Sequence, residues 1–190
     1  DWYSQGTSVS KDLALESVIN NRKLPKLFDA NDKLNVYRAA KISEEFDLEF
    51  VIKGSGKEYE NVRELKKFNN KLIIPVNFPN AFDVSNAKLN EKLTINQLRY
   101  WNQAPANLGI LEKNGIIFSI TSADLRNKRD FLKNIRKAIK NGLSEKTALN
   151  ALTIIPARSI GLEDKIGSLK NNLLANFLIT TGPIFDDKTE

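Results

Sequence analysis

The stretch 24-LPKLFDANDKLNVYRAAKISEEFDLEFVIKGSG-56 contains two short apolar runs separated by a segment with helical spacing. The runs at residues 25–29 and 48–53 predict strands, because short continuous apolar runs bounded by turn residues are typical of buried strands. Between them, apolar residues recur every three or four positions from 34 to 46, which predicts a helix. A strand, a helix and a second strand in this order predict two parallel neighbours in one sheet.

The alternation of strands and helices continues on both sides of this stretch. Further strands are predicted at residues 71–76 and 116–120, and a long polar loop at 77–91. Helices are predicted at 8–20, 31–46, 55–68, 94–101, 105–115, 126–142, from Ser144 and from Pro156. The predicted N-caps are Asn31 or Asp32, Thr94 in a capping box with Gln97, and Ser144.

Four βα units, which begin near residues 25, 48, 71 and 116, predict an α/β protein with a parallel sheet. A closed (β/α)8 barrel needs about 250 residues, so four units resemble half of such a TIM barrel. An open doubly wound sheet is the alternative. We assign residues 1–160 to this partial barrel-like domain. Residues 161–190, with strands predicted at 165–170 and 175–181, are expected to form a small C-terminal β appendage.

Composition excludes several chemistries. The 190 residues include no His, Cys or Met, and the net charge is +6. The chain therefore has no disulfides, no thiolate nucleophile and no triad that depends on histidine. No apolar run approaches the roughly 20 residues that a membrane span needs. Because the chain starts at Asp1 without Met, we expect a processed chain or a segment of a longer one, and the compartment stays open.

The passage 143-LSEKTALNALTIIPARSIGLEDKIGSLKNNLLANFLITTG-182 carries a likeness to a known family. Its Thr-x-x-Pro-Ala turn at 153–157 and its Gly-Leu-x-Asp-x-Ile-Gly-Ser run at 161–168 resemble the C-terminal signature of the amidohydrolase superfamily, with imidazolonepropionase-related hydrolases as the closest type. Residues 104–131 resemble the segment around the last barrel strand, and residues 24–56 resemble the fifth and sixth strands. The resemblance implies the second half of a metal-dependent hydrolase barrel and part of its flanking β-sandwich, without the first half and its His-x-His strand.

The resemblance also implies where metal ligands would lie, at the carboxyl ends of the strands. The positions that match two family histidines hold Asp29 and Lys53. The position that matches the aspartate after the last strand holds Ala123, and a shift of one residue would place Asp124 there. The family binds zinc or iron, but such sites need several imidazoles or carboxylates. We therefore expect no cofactor, and the family's hydrolytic chemistry does not carry over to this chain.

Alternative interpretations remain for two sets of residues. Lys53 could act with Asp29 or Asp124 as a metal-free catalytic base or Schiff-base donor, or it could form an ion pair with them in the position of the metal. Residues Gly54, Ser55 and Gly56 precede a predicted helix, so their N–H groups could bind an anion, or they could form a plain tight turn.

The basic stretch 126-RNKRDFLKNIRKAIKNG-142 is the densest run of positive charge. It could be a nucleic-acid or anion-binding face, or a surface helix with a solvated basic side. It contains no interleaved aromatic platform, so nucleic acid is not expected as a partner. The leading hypothesis is a non-catalytic half that serves in folding, association or ligand binding. Its partner would be the remainder of the parent chain or a second copy in a homodimer.

Overall fold

The computed structural model describes residues 13–21, 23–30, 32–68, 71–82 and 93–189. Its centre is a sheet of four strands, all paired in parallel and in chain order. The strands are β1 (Lys26–Asp29), β2 (Phe50–Lys53), β3 (Lys71–Pro75) and β4 (Phe118–Thr121). The predicted α/β class and parallel sheet are thereby confirmed.

Helices alternate with these strands. They are α1 (Leu13–Asn20), α2 (Lys33–Phe46), α3 (Val62–Leu65), α4 (Ile95–Gln103), α5 (Asn107–Lys113), α6 (Asp130–Lys140), α7 (Glu145–Leu152) and α8 (Ile154–Ser159). Two 3₁₀ helices precede α3 and α5, at Glu58–Asn61 and Ala104–Ala106.

One face of the sheet forms the hydrophobic core with the helices. The register aligns Ile52 with Phe28 and Leu72, and Leu72 with Phe118, so these residues form one row across the four strands. Ile52 and Phe118 are 0% and 1% exposed and belong to the same buried cluster as Ala39 of α2. Successive residues of a strand point to opposite faces, so the intervening residues, such as Leu27 and Lys53, lie on the second face.

The predicted helix starts are confirmed where side-chain caps satisfy free N–H groups. Asp32 accepts a hydrogen bond from the Asn35 N–H at 2.9 Å, and Ser144 accepts one from the Thr147 N–H at 3.1 Å. Thr94 and Gln97 form the predicted capping box at the start of α4. Each cap compensates for a hydrogen bond that the first turn of a helix cannot make within itself.

Two predicted helices are shorter and interrupted. The segment predicted as one helix from Ser55 is a 3₁₀ turn at Glu58–Asn61 followed by α3, because the preceding loop folds around the Glu58 side chain. The predicted helix at 105–115 likewise begins with a 3₁₀ turn. Residues 8–12 of the first predicted helix and residues 83–91 of the polar loop lie outside the described residues.

The strands predicted at 165–170 and 175–181 are wrong. Residues 161–189 form turns and irregular segments, because a strand needs a neighbouring strand to pair with and none of the described residues lies beside them as a strand. Several large apolar side chains of this tail are exposed, including Leu169 at 75%, Leu178 at 80% and Ile179 at 88%. The proposed domain boundary at residue 160 stays a prediction.

The sheet is open among the described residues, since β1 pairs only with β2 and β4 only with β3. Leu27 of β1 is 66% exposed, although it lies on the face that a closed barrel would enclose. In the described part of the chain, no helix is long and apolar enough to cross a membrane.

Candidate functional site at the carboxyl end of the sheet

The three predicted catalytic candidates lie together at the carboxyl edge of the sheet. Asp29 and Lys53 are the last residues of β1 and β2 and are register partners. The Lys53 Nζ lies 3.2 Å from Asp29 Oδ1 and 2.9 Å from Asp124 Oδ2. Asp124 reaches this point from the loop that follows β4. The arrangement is an ammonium held between one carboxylate from the end of β1 and one from the loop after β4.

The environment of Lys53 favours its charged form. Its side chain is 15% exposed, while those of Asp29 and Asp124 are 58% and 49% exposed. The hydrogen bond to Asp124 raises the pKa of Lys53, and the hydrogen bond to Asp29 raises it further. Together they outweigh burial, which lowers the pKa. Lys53 is therefore a cation at neutral pH, whereas a catalytic base or Schiff-base donor needs the neutral amine.

The backbone after β4 brings in the carboxylate of Asp124 rather than the adjacent Ala123. Asp124 has a φ of 64°, in the left-handed region that aspartate tolerates better than most residues. One residue earlier, the Ala123 N–H donates to Thr121 Oγ1 at 3.1 Å, which turns the chain at the strand end. The resemblance places Ala123, or Asp124 after a shift of one residue, at the position of the family aspartate, and in the structure Asp124 is the residue that contacts Lys53.

These residues do not fit the zinc or iron of the resembled family. An ammonium has no lone pair to donate, and its positive charge opposes a divalent cation between the same two carboxylates. Among the residues that the structure describes, no group of three or more His, Cys, Asp or Glu side chains could hold a metal ion. No step of a metal-assisted reaction follows from this donor set.

The predicted anion-binding loop contains an anion from the chain itself. The N–H groups of Ser55 and Gly56 donate to Glu58 Oε1 at 2.7 and 3.1 Å. A Cβ added at Gly54 would lie 2.3 Å from the same oxygen, so glycine is required for this approach. An external anion at Gly54, Ser55 and Gly56 would have to displace Glu58, and its binding there stays a prediction.

Glu58 also joins this loop to α5. It is only 4% exposed, and its Oε2 accepts a hydrogen bond from Asn107 Nδ2 at 2.8 Å. Asn107 in turn accepts from the Tyr59 N–H through Oδ1 at 2.8 Å, which fixes the orientation of its amide. Sequence reasoning missed Glu58, although the Ser-x-x-Glu spacing of 55–58 is the pattern in which a glutamate accepts hydrogen bonds from the start of a helix.

The predicted basic helix is present as α6. Ile135 and Ala138 are buried on its inner side, and Phe131 and Ile139 pack against the core. Most of its lysines are exposed. The apolar spacing that predicted the helix is therefore the spacing of its core contacts.

Comparison with known proteins gives the family. The sequence profile described as "Amidohydrolase family" matches residues 77–190, well over half of the chain. The chain therefore belongs to the amidohydrolase family, which confirms the resemblance seen in the sequence.

A solved structure shows the same fold. The crystal structure of an amidohydrolase from Thermotoga maritima MSB8 superposes with a TM-score of 0.71 at 22% identity, over 99% of this chain and 46% of that one. This chain thus spans about half the length of that protein, consistent with the predicted part of a TIM barrel. No curated protein sequence matches the chain.

Replacing Lys53 with Met should destabilise the fold by about 1 kcal/mol at pH 7, because two carboxylates lose their shared cation. The raised pKa of Lys53 means that its stabilising effect is complete below the ordinary lysine value of about 10.4 and is lost as the pH rises through the higher folded-state value. Urea unfolding of both proteins from pH 7 upward measures this. Lys67→Met, which removes an exposed pair with Glu64, is the control and should change stability less. Equal stability of wild type and Lys53→Met at pH 7 would contradict the inference that the ion pairs of Lys53 stabilise the fold.

Replacing Glu58 with Gln should cost roughly 1–3 kcal/mol, because the new amide nitrogen would face the amide donor of Asn107 inside the protein. Asn107 cannot simply rotate, since its Oδ1 already accepts from Tyr59. Urea unfolding compares this variant with Glu45→Gln, an exposed position on α2 that should stay within about 0.5 kcal/mol of wild type. An unchanged midpoint for Glu58→Gln would show that the network is not a stabilising one.

Proposed function

We propose that this chain is a non-catalytic half-barrel of the amidohydrolase family, which contributes to folding and association of a larger assembly. The observation that carries the proposal is the position of the Lys53 ammonium between Asp29 and Asp124, where it forms an ion pair with both carboxylates without offering a metal ligand. An ion pair of this kind gives the two carboxylates a partner where the resemblance implies a metal ion, and it requires no catalytic group.

The same observation weakens the metal-free enzyme as an alternative. A lysine whose pKa is raised by Asp124 and Asp29 is a poorer base and nucleophile near pH 7 than one whose pKa is lowered. A Lys53-dependent reaction would need a substrate that first displaces one of the carboxylates.

Association is supported by the open edge of the sheet at β1. The outer side of β1 carries no partner strand within the described residues, and an exposed strand edge pairs readily with another strand. Leu27 adds an exposed apolar side chain on this strand, whereas Phe118, Ser119 and Ile120 of β4 are at most 8% exposed. A second copy of the chain, or the remainder of a parent chain, would find backbone donors and acceptors along β1.

Metal analysis tests the non-catalytic assignment. Protein purified without a His tag should contain no stoichiometric zinc or iron and should not hydrolyse amide substrates, with or without added zinc. Lys53→His removes the ammonium and places an imidazole beside Asp29 and Asp124, so it should gain measurable zinc binding by calorimetry. Lys146→His, at an exposed position of α7, is the control and should not. Chelator-sensitive amide hydrolysis by the wild-type chain would overturn the proposal.

Light scattering tests the association. We expect the wild-type chain to have at least twice its monomer mass, and Leu27→Lys to reduce it to the monomer, because a charge beside an open strand edge opposes pairing. Ile95→Lys on α4 is a matched control, since Ile95 is also 66% exposed, and it should keep the wild-type mass. A wild-type monomer at every concentration would exclude a second copy as the partner.

A further inference from the structure

A groove of about 480 Å³ lies beside α6 and shares no lining residue with the Lys53 cluster. Its walls are residues 78–81, which follow β3, Trp101 of α4, and the outer side of α6. Trp101 is 38% exposed although it is a large aromatic residue, and Phe78 is half-buried. The groove therefore combines aromatic surface from two segments with charged side chains from a third.

The charge of the groove is mainly positive. Lys133, Arg136, Lys137 and Lys140 line it, and Asp187 is the acidic residue among its lining side chains. Lys137 Nζ lies 5.8 Å from the centre of the Phe78 ring, a cation–π distance. Neither Lys133 nor Lys137 forms an ion pair with a described residue, so both charges are available to a ligand.

The chain itself shows that this groove attracts a carboxylate. Asp187 Oδ2 lies 3.0 Å from Lys140 Nζ, and its Oδ1 lies 3.6 Å from Arg136 Nε. Arg136 also donates to the Asp186 carbonyl oxygen at 2.7 Å. The hydrogen bond from Lys140 and the charge of Arg136 lower the pKa of Asp187. The groove thus already contains one anion, and it also presents two further lysines and an aromatic surface.

We infer that this groove binds a nucleotide unit, with the base on Trp101 and Phe78 and the phosphate on Lys133 and Lys137. A nucleotide joins a flat ring to an anion, so it matches both the aromatic surface and the lysines of the groove. Bases stack on aromatic side chains, and phosphates pair with lysine. The volume falls within the range of small-molecule sites. An inorganic anion would leave the aromatic surface unused, and an apolar ligand would leave two desolvated lysines uncompensated.

The groove is independent of the proposed scaffold role. Its residues belong to α4, α6, the tail and the loop after β3, whereas the Lys53 cluster lies at the ends of β1 and β2 and after β4. Loss of nucleotide binding would therefore leave the metal and mass measurements unchanged, and the reverse also holds.

Fluorescence of Trp101 provides the test. The chain has two tryptophans, so a Trp2→Phe background leaves Trp101 as the single reporter. Titration with AMP should quench its emission saturably. Replacing both Lys133 and Lys137 with Ala should weaken AMP binding by at least roughly tenfold, because charge-assisted contacts to the phosphate are lost. The matched control, Lys41→Ala with Lys146→Ala, removes two exposed lysines from other helices and should bind as the parent does.

Further ligands show how much the base and the phosphate each contribute to binding. They also show whether the nucleotide unit is a free nucleotide or part of a nucleic acid. Adenosine should bind more weakly than AMP, and inorganic phosphate should compete only weakly. Asp187→Asn should tighten AMP binding, since it frees Arg136 and Lys140. An oligoadenylate that binds much more tightly than AMP would identify single-stranded nucleic acid as the source, and equal affinity would identify a free nucleotide.

Three results would overturn the inference. They are the absence of quenching by AMP and by oligoadenylate at millimolar concentration, an equal affinity for adenosine and AMP, and unchanged binding in the Lys133/Lys137 double variant. Circular dichroism of each variant confirms that the fold is intact. Calorimetry of Trp101→Ala in the same background gives a second readout, with weaker binding expected.

Discussion

Parallel pairing of β1 to β4 is the constraint on which the rest of the structure depends. It places Phe28, Ile52, Leu72 and Phe118 in one row under the helices, where each fully buried side chain contributes about 1.5–3 kcal/mol. It also makes every strand end at the same edge. Residues that are far apart in the chain, such as Asp29 and Asp124, therefore meet there, and a helix must return the chain after each strand.

Two charged groups at this edge are neutralised within the chain. Lys53 is held by Asp29 and Asp124, and Glu58 by the N–H groups of Ser55 and Gly56 together with Asn107. A buried charge is costly unless it is paired, so these contacts stabilise the fold. They also occupy the positions where a metal ion or an external anion would bind. Family membership is compatible with the lack of a fitting donor set among the described residues, because the scaffold depends on apolar packing and the chemistry on a few side chains.

The surfaces with unused interaction capacity lie elsewhere. Strand β1 has no partner strand on its outer side among the described residues, and the tail from residue 161 exposes large apolar side chains such as Ile179. The groove beside α6 presents Lys133 and Lys137, which form no ion pair with a described residue, next to aromatic rings. The first two surfaces are the basis of the proposed association, and the groove is the basis of the inferred nucleotide binding.

The sequence by itself determined the four strands of the sheet, most of the helices, the parallel pairing and the family, because apolar spacing, caps such as Asp32 and the 143–182 signature are local in the chain. It also predicted Asp29, Lys53 and Asp124 as candidate site residues, since the ends of strands can be located from the apolar runs. Tertiary structure alone decided that Lys53 contacts both carboxylates, that Glu58 fills the glycine loop, and that residues 175–181 do not form a strand. It also placed Trp101 and Phe78 beside the basic helix. Each of these depends on which segments pack together, and contacts between distant segments leave no periodic pattern in the sequence.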